Sequence, residues 1–312
     1  TVNNGAGSYT WSPSGGNAAS ASVSPGSTSI YTLTYSDSNG CQDTALSRVT
    51  VNPLPTMTTP TNTSICHNGS VPASAFSSTV SGTTFNWTNT NTSIGLGASG
   101  TGNTPAFTAN NTGSSPVSAV ISVTPTANLC VGPPINYTIT VNPIPNINAV
   151  PSGTYCAGTT APAANFTGSV TSTTYNWSNT NSSIGLATSG IGNIASFATT
   201  NTSSSGISGV VTVTPSANNC IGVPTNYTIS VNPIPTVNSV PSSTYCSGVT
   251  VPATTFAGNV TGTTYNWTNN NTSIGVANSG LNTVPSFNAS NNGSGPISGV
   301  ITITPTANSC IG

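Results

Sequence analysis

The sequence is almost without charge. Its 312 residues include one Arg (Arg48), two Asp (Asp37 and Asp43), one His (His67), and no Lys or Glu. Charged residues make up 1 % of the chain, against roughly a quarter in an ordinary globular domain. Because general acid–base catalysis needs several titratable side chains within reach of one another, this composition predicts a protein that is not an enzyme.

Metal, cofactor and nucleic-acid sites are disfavoured for the same reason. Zinc takes several His, Cys or Asp ligands and calcium takes several carboxylates, so we predict no metal and no cofactor. The sequence has no basic patch to bind a phosphate backbone, so nucleic acid is not an expected partner. We interpret His67 as an exposed loop residue.

Long apolar runs are also absent. No segment approaches the roughly 18 consecutive apolar residues of a membrane-spanning helix, so we expect no membrane insertion within these residues. Disorder is not expected either, because apolar residues alternate and Trp and Tyr recur at regular places. Thr, Ser and Asn must solvate the surface by hydrogen bonding.

Self-similarity at a spacing of 90 residues is the main feature that is present. Aligning residues 143–222 with 233–312 without a gap gives about 47 identities in 80 positions. A period this long indicates one complete domain per repeat, because solenoid units repeat every 20 to 50 residues or so. The residues that recur are Cys66, Cys156 and Cys246, Trp87, Trp177 and Trp267, and Cys130, Cys220 and Cys310.

Pro-x-Pro segments at 53–55, 143–145 and 233–235 separate the repeats. Proline ends a strand and favours extended backbone, so these linkers predict a semi-rigid rod in which the partners of each repeat are its neighbours in the chain. The predicted modules are the C-terminal part of a shorter module whose beginning is missing (1–52), repeat 1 (53–142), repeat 2 (143–232) and repeat 3 (233–312). Repeat 3 is expected to be truncated before the segment equivalent to 135–141.

Apolar and polar residues alternate within each repeat as they do in half-buried strands. Residues 117–124 and 137–141 follow this pattern and predict a hairpin with its turn around Cys130. The positions equivalent to 117, 119, 121 and 123 are expected to face the core in every repeat, including Ile297 in repeat 3. With abundant Gly, Pro and Asn between the strands, the pattern predicts an all-β fold with one β-sandwich per repeat.

Two aromatic residues occupy one face of an earlier strand in each repeat. We predict that they anchor the core, with a glycan-stacking platform as the alternative. They are Phe85 and Trp87, Tyr175 and Trp177, and Tyr265 and Trp267.

The cysteines are expected to form one disulfide within each repeat, between residues 64 positions apart. The predicted pairs are Cys66–Cys130, Cys156–Cys220 and Cys246–Cys310, and Cys41 is left over with its partner expected before residue 1. Because the second cysteine of each pair sits in a turn, the bond should attach the N-terminal segment to the last hairpin near one pole of the domain. Regular disulfides imply an oxidising compartment, so the predicted location is extracellular, at the cell surface.

Residues 1–52 resemble the Ig-like/PKD-like modules of Bacteroidota cell-surface proteins. The segments that carry the resemblance are 9–13 (Tyr-Thr-Trp-Ser-Pro), 29–34 (Ser-Ile-Tyr-Thr-Leu-Thr), 39–41 (Asn-Gly-Cys) and 49–53 (Val-Thr-Val-Asn-Pro). The 90-residue repeats resemble the PKD-like domains arrayed in very long adhesins of that phylum. The resemblance implies an Ig-like module at 1–52, PKD-like repeats after it, and export by the type IX secretion system. Residues 43–45 (Asp-Thr-Ala) match the pattern at which these bacteria attach O-glycans, which makes Thr44 a candidate glycosylation site.

Three functions stay open on the sequence alone. The first is a structural stalk that carries the adhesive part of a long secreted adhesin away from the cell. The second is a subunit of an extracellular filament or sheath whose uncharged strand edges associate laterally, because charge is what normally blocks edge pairing. The third is a glycan-binding module that uses exposed aromatic residues, and it depends on those residues being accessible.

Overall fold

The computed structural model describes residues 7–312. The chain divides into two compact units, Thr1–Asn142 and Pro143–Gly312. Nearly all regular structure in the described part is β, and the exceptions are three single-turn 3-10 helices at Thr92–Ile94, Ser182–Ile184 and Thr272–Ile274. The all-β prediction is therefore confirmed. In residues 7–312, no helix combines the length and apolarity needed to cross a membrane.

The first unit begins with a three-stranded antiparallel sheet in the order β1-β2-β3. Its strands are β1 (Ser8–Ser12), β2 (Ser29–Ser36) and β3 (Gln42–Val49). Tyr31 on the central strand is buried, whereas nearly all of β3 is exposed.

Repeat 1 completes the first unit with a six-stranded sheet and a small second sheet. Its strands are β4 (Thr63–Cys66), β5 (Ser70–Val71), β6 (Thr84–Asn89), β7 (Ser99–Thr101), β8 (Phe107–Thr108), β9 (Val117–Ala127), β10 (Cys130–Val131) and β11 (Ile135–Asn142). The large sheet has the order β4-β11-β9-β6-β7 with β10 also on β9, and β5 pairs with β8 across the core.

Repeat 2 has the same topology. Its strands are β12 (Gly153–Cys156), β13 (Thr160–Ala161), β14 (Thr174–Asn179), β15 (Ser189–Ile191), β16 (Phe197–Ala198), β17 (Ile207–Ala217), β18 (Cys220–Ile221) and β19 (Thr225–Asn232). The large sheet runs β12-β19-β17-β14-β15, with β18 on β17 and with β13 pairing β16 in the second sheet.

Repeat 3 has a smaller main sheet, in the order β23-β22-β26-β27. Its strands are β20 (Thr250–Val251), β21 (Thr254–Thr255), β22 (Thr264–Asn269), β23 (Ser279–Leu281), β24 (Thr283–Val284), β25 (Phe287–Asn288), β26 (Ile301–Ala307) and β27 (Cys310–Ile311). Two short pairs, β20 with β25 and β21 with β24, lie outside the main sheet.

The predicted alternation places the core correctly in repeats 1 and 2. Ala119, Ile121 and Val123 on β9 are buried, as are the equivalent residues of β17. The predicted hairpin is also present, because β9 pairs antiparallel with β11 on either side of the turn at Asn128 and Leu129. The prediction is wrong for Ile297, which is 41 % exposed because no neighbouring strand covers it among the described residues.

The first strand of each complete repeat has a pairing that the sequence pattern does not indicate. β12 lies parallel to β19, with Cys156 opposite Asn232, and β4 lies parallel to β11 in the same register. β19 in turn runs antiparallel to β17, with Val231 opposite Ile207. The parallel register therefore carries Cys156 to the end of the sheet at which β17 begins.

One buried hydroxyl distinguishes the cores of repeats 1 and 2. The Tyr137 and Tyr227 side chains are both buried. The Tyr137 hydroxyl lies 3.4 Å from Ser74 Oγ, whereas position 164 in repeat 2 is Ala and the Tyr227 hydroxyl has no partner in the described structure. Burial, reinforced by the nearby Tyr155, raises the pKa of Tyr227 to about 12.

We therefore expect Tyr227→Phe to leave the unfolding free energy of repeat 2 unchanged or to raise it by about 1 kcal/mol, because an unsatisfied buried hydroxyl is costly. Tyr137→Phe should lower the stability of repeat 1 by about 1 kcal/mol, because it removes the hydrogen bond between the Tyr137 hydroxyl and Ser74 Oγ and leaves the Ser74 hydroxyl without this partner. Native-state hydrogen exchange of the full chain, read separately for β11 and β19, measures both effects. Equal losses of stability in the two variants would contradict the finding that the Tyr137 hydroxyl has a hydrogen-bond partner and the Tyr227 hydroxyl has none.

Candidate functional site at the joint between repeats

The linker after repeat 2 is anchored to repeat 3 by hydrogen bonds. β19 ends at Asn232, and Pro233, which has no N–H to donate, ends its ladder. Beyond the prolines, the Thr236 N–H donates to Asn259 Oδ1 at 2.8 Å and the Asn238 N–H donates to the Ala257 carbonyl at 2.8 Å. Only a few residues around Pro233 therefore lie free between the two repeats.

The last hairpin of repeat 3 packs directly against this linker. Its turn uses Asn308 and Ser309 in the left-handed conformation, with φ of 48° and 64°. A Cβ on Gly312, two residues after Cys310, would lie 1.9 Å from the Pro235 carbonyl oxygen. Only glycine allows so close an approach, and Gly132 and Gly222 meet the carbonyls of Pro55 and Pro145 at the same 1.9 Å.

A side-chain hydrogen bond joins the end of repeat 2 to the same hairpin. Asn232 Nδ2 donates to the Asn308 carbonyl oxygen at 3.1 Å. The joint between residues 1–52 and repeat 1 has the same contact, since Asn52 Nδ2 donates to the Asn128 carbonyl at 3.0 Å. The Asn of each Val-Asn-Pro segment therefore binds the hairpin turn of the following repeat at both of these joints.

A disulfide crosses the joint at the same place. Cys156, at the end of β12 in repeat 2, is bonded to Cys310 on β27 of repeat 3, with 5.6 Å between the Cα atoms and 154 residues between them in sequence. Two repeats are therefore linked twice, by the linker and by the disulfide.

This bond overturns the predicted pairing within repeats. Cys156 does not pair with Cys220, Cys310 does not pair with Cys246, and Cys66 does not pair with Cys130. Cys66 and Cys220 each take part in a disulfide as well. Cys130 and Cys246 have free thiols, as does Cys41.

The physical reason is the length of β17. Cys156 lies at the end of the sheet where β17 begins, at Ile207, whereas Cys220 pairs with Ala217, at the other end of that strand. A strand rises about 3.3 Å per residue, so the two cysteines of one repeat are separated by roughly 30 Å. A disulfide needs Cα atoms within about 7 Å, so a bond within the repeat is impossible.

The predicted aromatic residues lie inside the sandwiches. Phe85, Trp87, Tyr175, Tyr265 and Trp267 are buried, and Trp177 is half-buried and packs against the core of repeat 2. Each Trp crosses a glycine of the next strand, as Trp87 does over Gly100, where a Cβ would meet the indole at 2.4 Å. Their ring faces are therefore not available for stacking a sugar.

The few polar residues singled out from the sequence have local structural roles. His67 is half-buried rather than exposed, and its Nδ1 accepts a hydrogen bond from the Asn111 N–H at 3.0 Å, which corrects its interpretation as an exposed loop residue. Asp37 Oδ1 accepts from the Asn39 and Cys41 N–H groups in the turn before β3. Thr44 lies exposed on β3. No group of three His, Cys, Asp or Glu side chains that could hold a metal occurs in residues 7–312.

Comparison with known proteins agrees with this architecture. Residues 63–145 match the family described as the PKD-like domain, and no curated protein is similar to the chain in sequence. The chain is similar in structure to three Ig domains of titin in an E-to-A variant, with 10 % identity, a TM-score of 0.51 and coverage of 82 % of this chain and 96 % of that one. It is also similar to the N-terminal eight Ig domains of Down Syndrome Cell Adhesion Molecule, with 12 % identity, a TM-score of 0.36, and coverage of 98 % of this chain and 49 % of that one.

The match to the PKD-like domain and the similarity to the titin domains identify the fold. The chain is a tandem array of Ig-like/PKD-like β-sandwich domains, one for each repeat of about 90 residues. Domains of this fold are typically non-enzymatic. The disulfides are typical of an extracellular protein.

Proposed function

We propose that this chain is a stalk segment of a long secreted cell-surface adhesin, and that it spans distance rather than catalysing a reaction. The domains proposed are an Ig-like module at 1–52 and PKD-like repeats at 53–142, 143–232 and 233–312. The observation that carries the proposal is the disulfide from Cys156 to Cys310, because it closes the joint between two repeats rather than a single domain.

A joint with two covalent connections resists bending and twisting better than a single peptide linker does. The Pro-x-Pro segment limits the flexibility of the linker. The Asn232 side chain binds the hairpin turn of repeat 3, and the disulfide provides a second connection between the two repeats. Such a joint favours a spacer, because it limits the bending between neighbouring domains. The resemblance of residues 1–52 to Bacteroidota surface modules further supports secretion through the type IX system.

The alternative functions have less support. A glycan platform built on the recurring Trp and Tyr residues is disfavoured, because those side chains pack in the cores. A filament or sheath would associate through exposed strand edges such as β3, and this edge carries Asp43 and Arg48, two of the chain's three charged residues other than His. Charge on an edge opposes lateral pairing.

Electron microscopy of the oxidised chain tests the proposal. We expect isolated thin threads, in which the joint between repeats 2 and 3 has a narrow range of angles, and we expect Cys156→Ser to widen that range. Cys246→Ser is the matched control and should leave the angles unchanged, because Cys246 has a free thiol. Ordered bundles or tubes at all concentrations would instead support a filament and would contradict the stalk.

A further inference from the structure

One backbone N–H of repeat 2 lacks the acceptor that its equivalents have in repeats 1 and 3. In those two repeats the residue after the first cysteine accepts a hydrogen bond from the N–H of a loop Asn. The two contacts are Asn111 N–H to His67 Nδ1 at 3.0 Å and Asn291 N–H to Ser247 Oγ at 3.1 Å. The equivalent residues of repeat 2 are Asn201 and Ala157. Because an Ala side chain cannot accept a hydrogen bond, the N–H of Asn201, which is 9 % exposed, has no acceptor among the described residues.

The missing acceptor is caused by the side chain at position 157 and not by a different loop conformation. The Ala157 N–H donates at 2.8 Å to the carbonyl of the last residue of β19, and the equivalent N–H of repeat 1 makes the same contact with β11. Asn201 Nδ2 donates at 2.8 Å to a carbonyl of its own loop and to one of β19, and the equivalent amide of repeat 1 also makes both contacts. The Asn201 N–H is therefore directed at position 157, where repeat 2 has only a methyl group.

An open cleft of about 420 Å³ lies at this position, between repeat 2, the linker and repeat 3. Its walls include Ala157, Ala198 and Asn201 of repeat 2, Pro233 and Ile234 of the linker, and Asn259 of repeat 3. A Cβ on Gly158 would lie 4.0 Å from Ile234 Cδ1, so the linker side chain lies against the turn of repeat 2. The volume is within the range of small-ligand sites, and the cleft is formed only where the two repeats are joined.

The groups that line the cleft restrict the chemistry of a ligand. Residues 143–312 contain no Asp, Glu, Lys, Arg or His, so no side chain there would neutralise a charged ligand. The Asn201 N–H needs an acceptor, and the nearby apolar walls, Ala157 and Ile234, need an apolar group beside it. Thr202 and Ser203 are exposed on the same lining loop and offer hydroxyl groups. A matching ligand is therefore neutral, with an acceptor next to a methyl group and hydroxyls beyond them.

We propose that the cleft binds the N-acetyl group of a neutral amino sugar such as N-acetylglucosamine. The acetamido carbonyl accepts the hydrogen bond of the Asn201 N–H, in the place of the side-chain acceptors of repeats 1 and 3. The acetamido methyl group packs against Ala157 and Ile234, and the ring hydroxyls lie toward Thr202. The buried aromatic residues take no part in this site. The proposal does not rest on the stalk function, since a stalk spans distance with or without a bound sugar.

The test titrates the oxidised full chain with N-acetylglucosamine and follows backbone amides by NMR. We expect a shift of the Asn201 amide with roughly millimolar affinity, and slower hydrogen exchange of that amide when the sugar is bound. The Asn111 and Asn291 amides should not shift, because each already has a side-chain acceptor. Glucose at the same concentration should leave the Asn201 amide unchanged, because it has no acetamido group.

Ala157→Ser separates the site from the fold. The new hydroxyl should accept the Asn201 N–H, as the Ser247 hydroxyl accepts the equivalent N–H in repeat 3, so sugar binding should weaken roughly tenfold or more. The Asn201 amide should also exchange more slowly without sugar. Ala195→Ser is the matched control and should leave binding unchanged, because Ala195 is exposed and lies outside the cleft.

Ile234→Ser tests the apolar wall that the linker supplies. Binding should weaken roughly fivefold, because the acetamido methyl group loses an apolar contact. The Ile234 side chain is 40 % exposed, so the change should not unfold either repeat. Ile144→Ser makes the same change in the preceding linker, outside the cleft, and should leave binding unchanged.

Three results would overturn the proposal. The first is no shift of the Asn201 amide with N-acetylglucosamine although Ala157→Ser slows its exchange, which would assign the N–H to water alone. The second is an equal shift with glucose, because the acetamido group would then not be recognised. The third is equally tight binding of N-acetylglycine amide, which would show that the cleft recognises an amide without its sugar.

Discussion

Reduction should lengthen the stretched second unit by about 500 Å. If the full chain is pulled between the exposed Ala149 and Gly312, the disulfide between Cys156 and Cys310 carries the force past the 154-residue segment that it encloses. Once the bond is reduced, those residues can extend by roughly 3.3–3.6 Å each after unfolding. Single-molecule force spectroscopy with and without reductant measures the gain in contour length.

Single substitutions make this result specific to the joint. Cys310→Ser should give the long extension without reductant, because its bond to Cys156 is lost. Cys246→Ser should change nothing, because its thiol is free. If each disulfide instead formed within one repeat, Cys246→Ser would release only the shorter segment between Cys246 and Cys310. That outcome would refute a disulfide across the joint.

The sequence could not decide between these two pairings. Cys310 follows Cys246 by 64 residues and Cys156 by 154, and the two separations differ by one repeat of 90. Because the sequence repeats, the residues around the cysteines are similar in every repeat. They therefore do not distinguish a disulfide within a repeat from one between repeats. The deciding fact is the parallel pairing of β12 with β19, which places Cys156 at the far end of the sheet. Parallel pairing is a long-range choice that leaves no local pattern, unlike a hairpin.

Local patterns predicted the features that are local in the structure. The alternation in residues 117–124 located β9 and its buried face, and the spacing of Phe85 and Trp87 placed both in the core. The role of His67 was missed, because its partner, the Asn111 N–H, lies 44 residues away in sequence and is a backbone group. Recurrence of Asn before each Pro-x-Pro segment was visible, but its contact with a turn carbonyl of the next repeat depends on how two domains meet.

The second large effect concerns the glycine that lies against the linker. Gly132→Ala should lower the unfolding free energy of repeat 1 by about 2–3 kcal/mol, the upper part of the range of about 1–3 kcal/mol for forcing atoms into a packed site. The new Cβ would lie 1.9 Å from the Pro55 carbonyl oxygen and 2.9 Å from Pro125 Cγ. Neither group can rotate away, because one is backbone and the other is a proline ring, so the hairpin and the linker must separate.

The matched control is Gly97→Ala in the same repeat. No heavy atom lies within 4 Å of the added methyl group there, so the change in stability should stay within about 0.5 kcal/mol. Hydrogen exchange of β9 and β11 in the full chain measures both variants. Separation of the hairpin from the linker should also break the bond from Asn52 to the Asn128 carbonyl, which is 3.0 Å in the intact joint. Gly132→Ala should therefore loosen the joint before repeat 1 as well as the repeat itself, and equal stability of the two variants would show that the hairpin does not depend on its contact with Pro55.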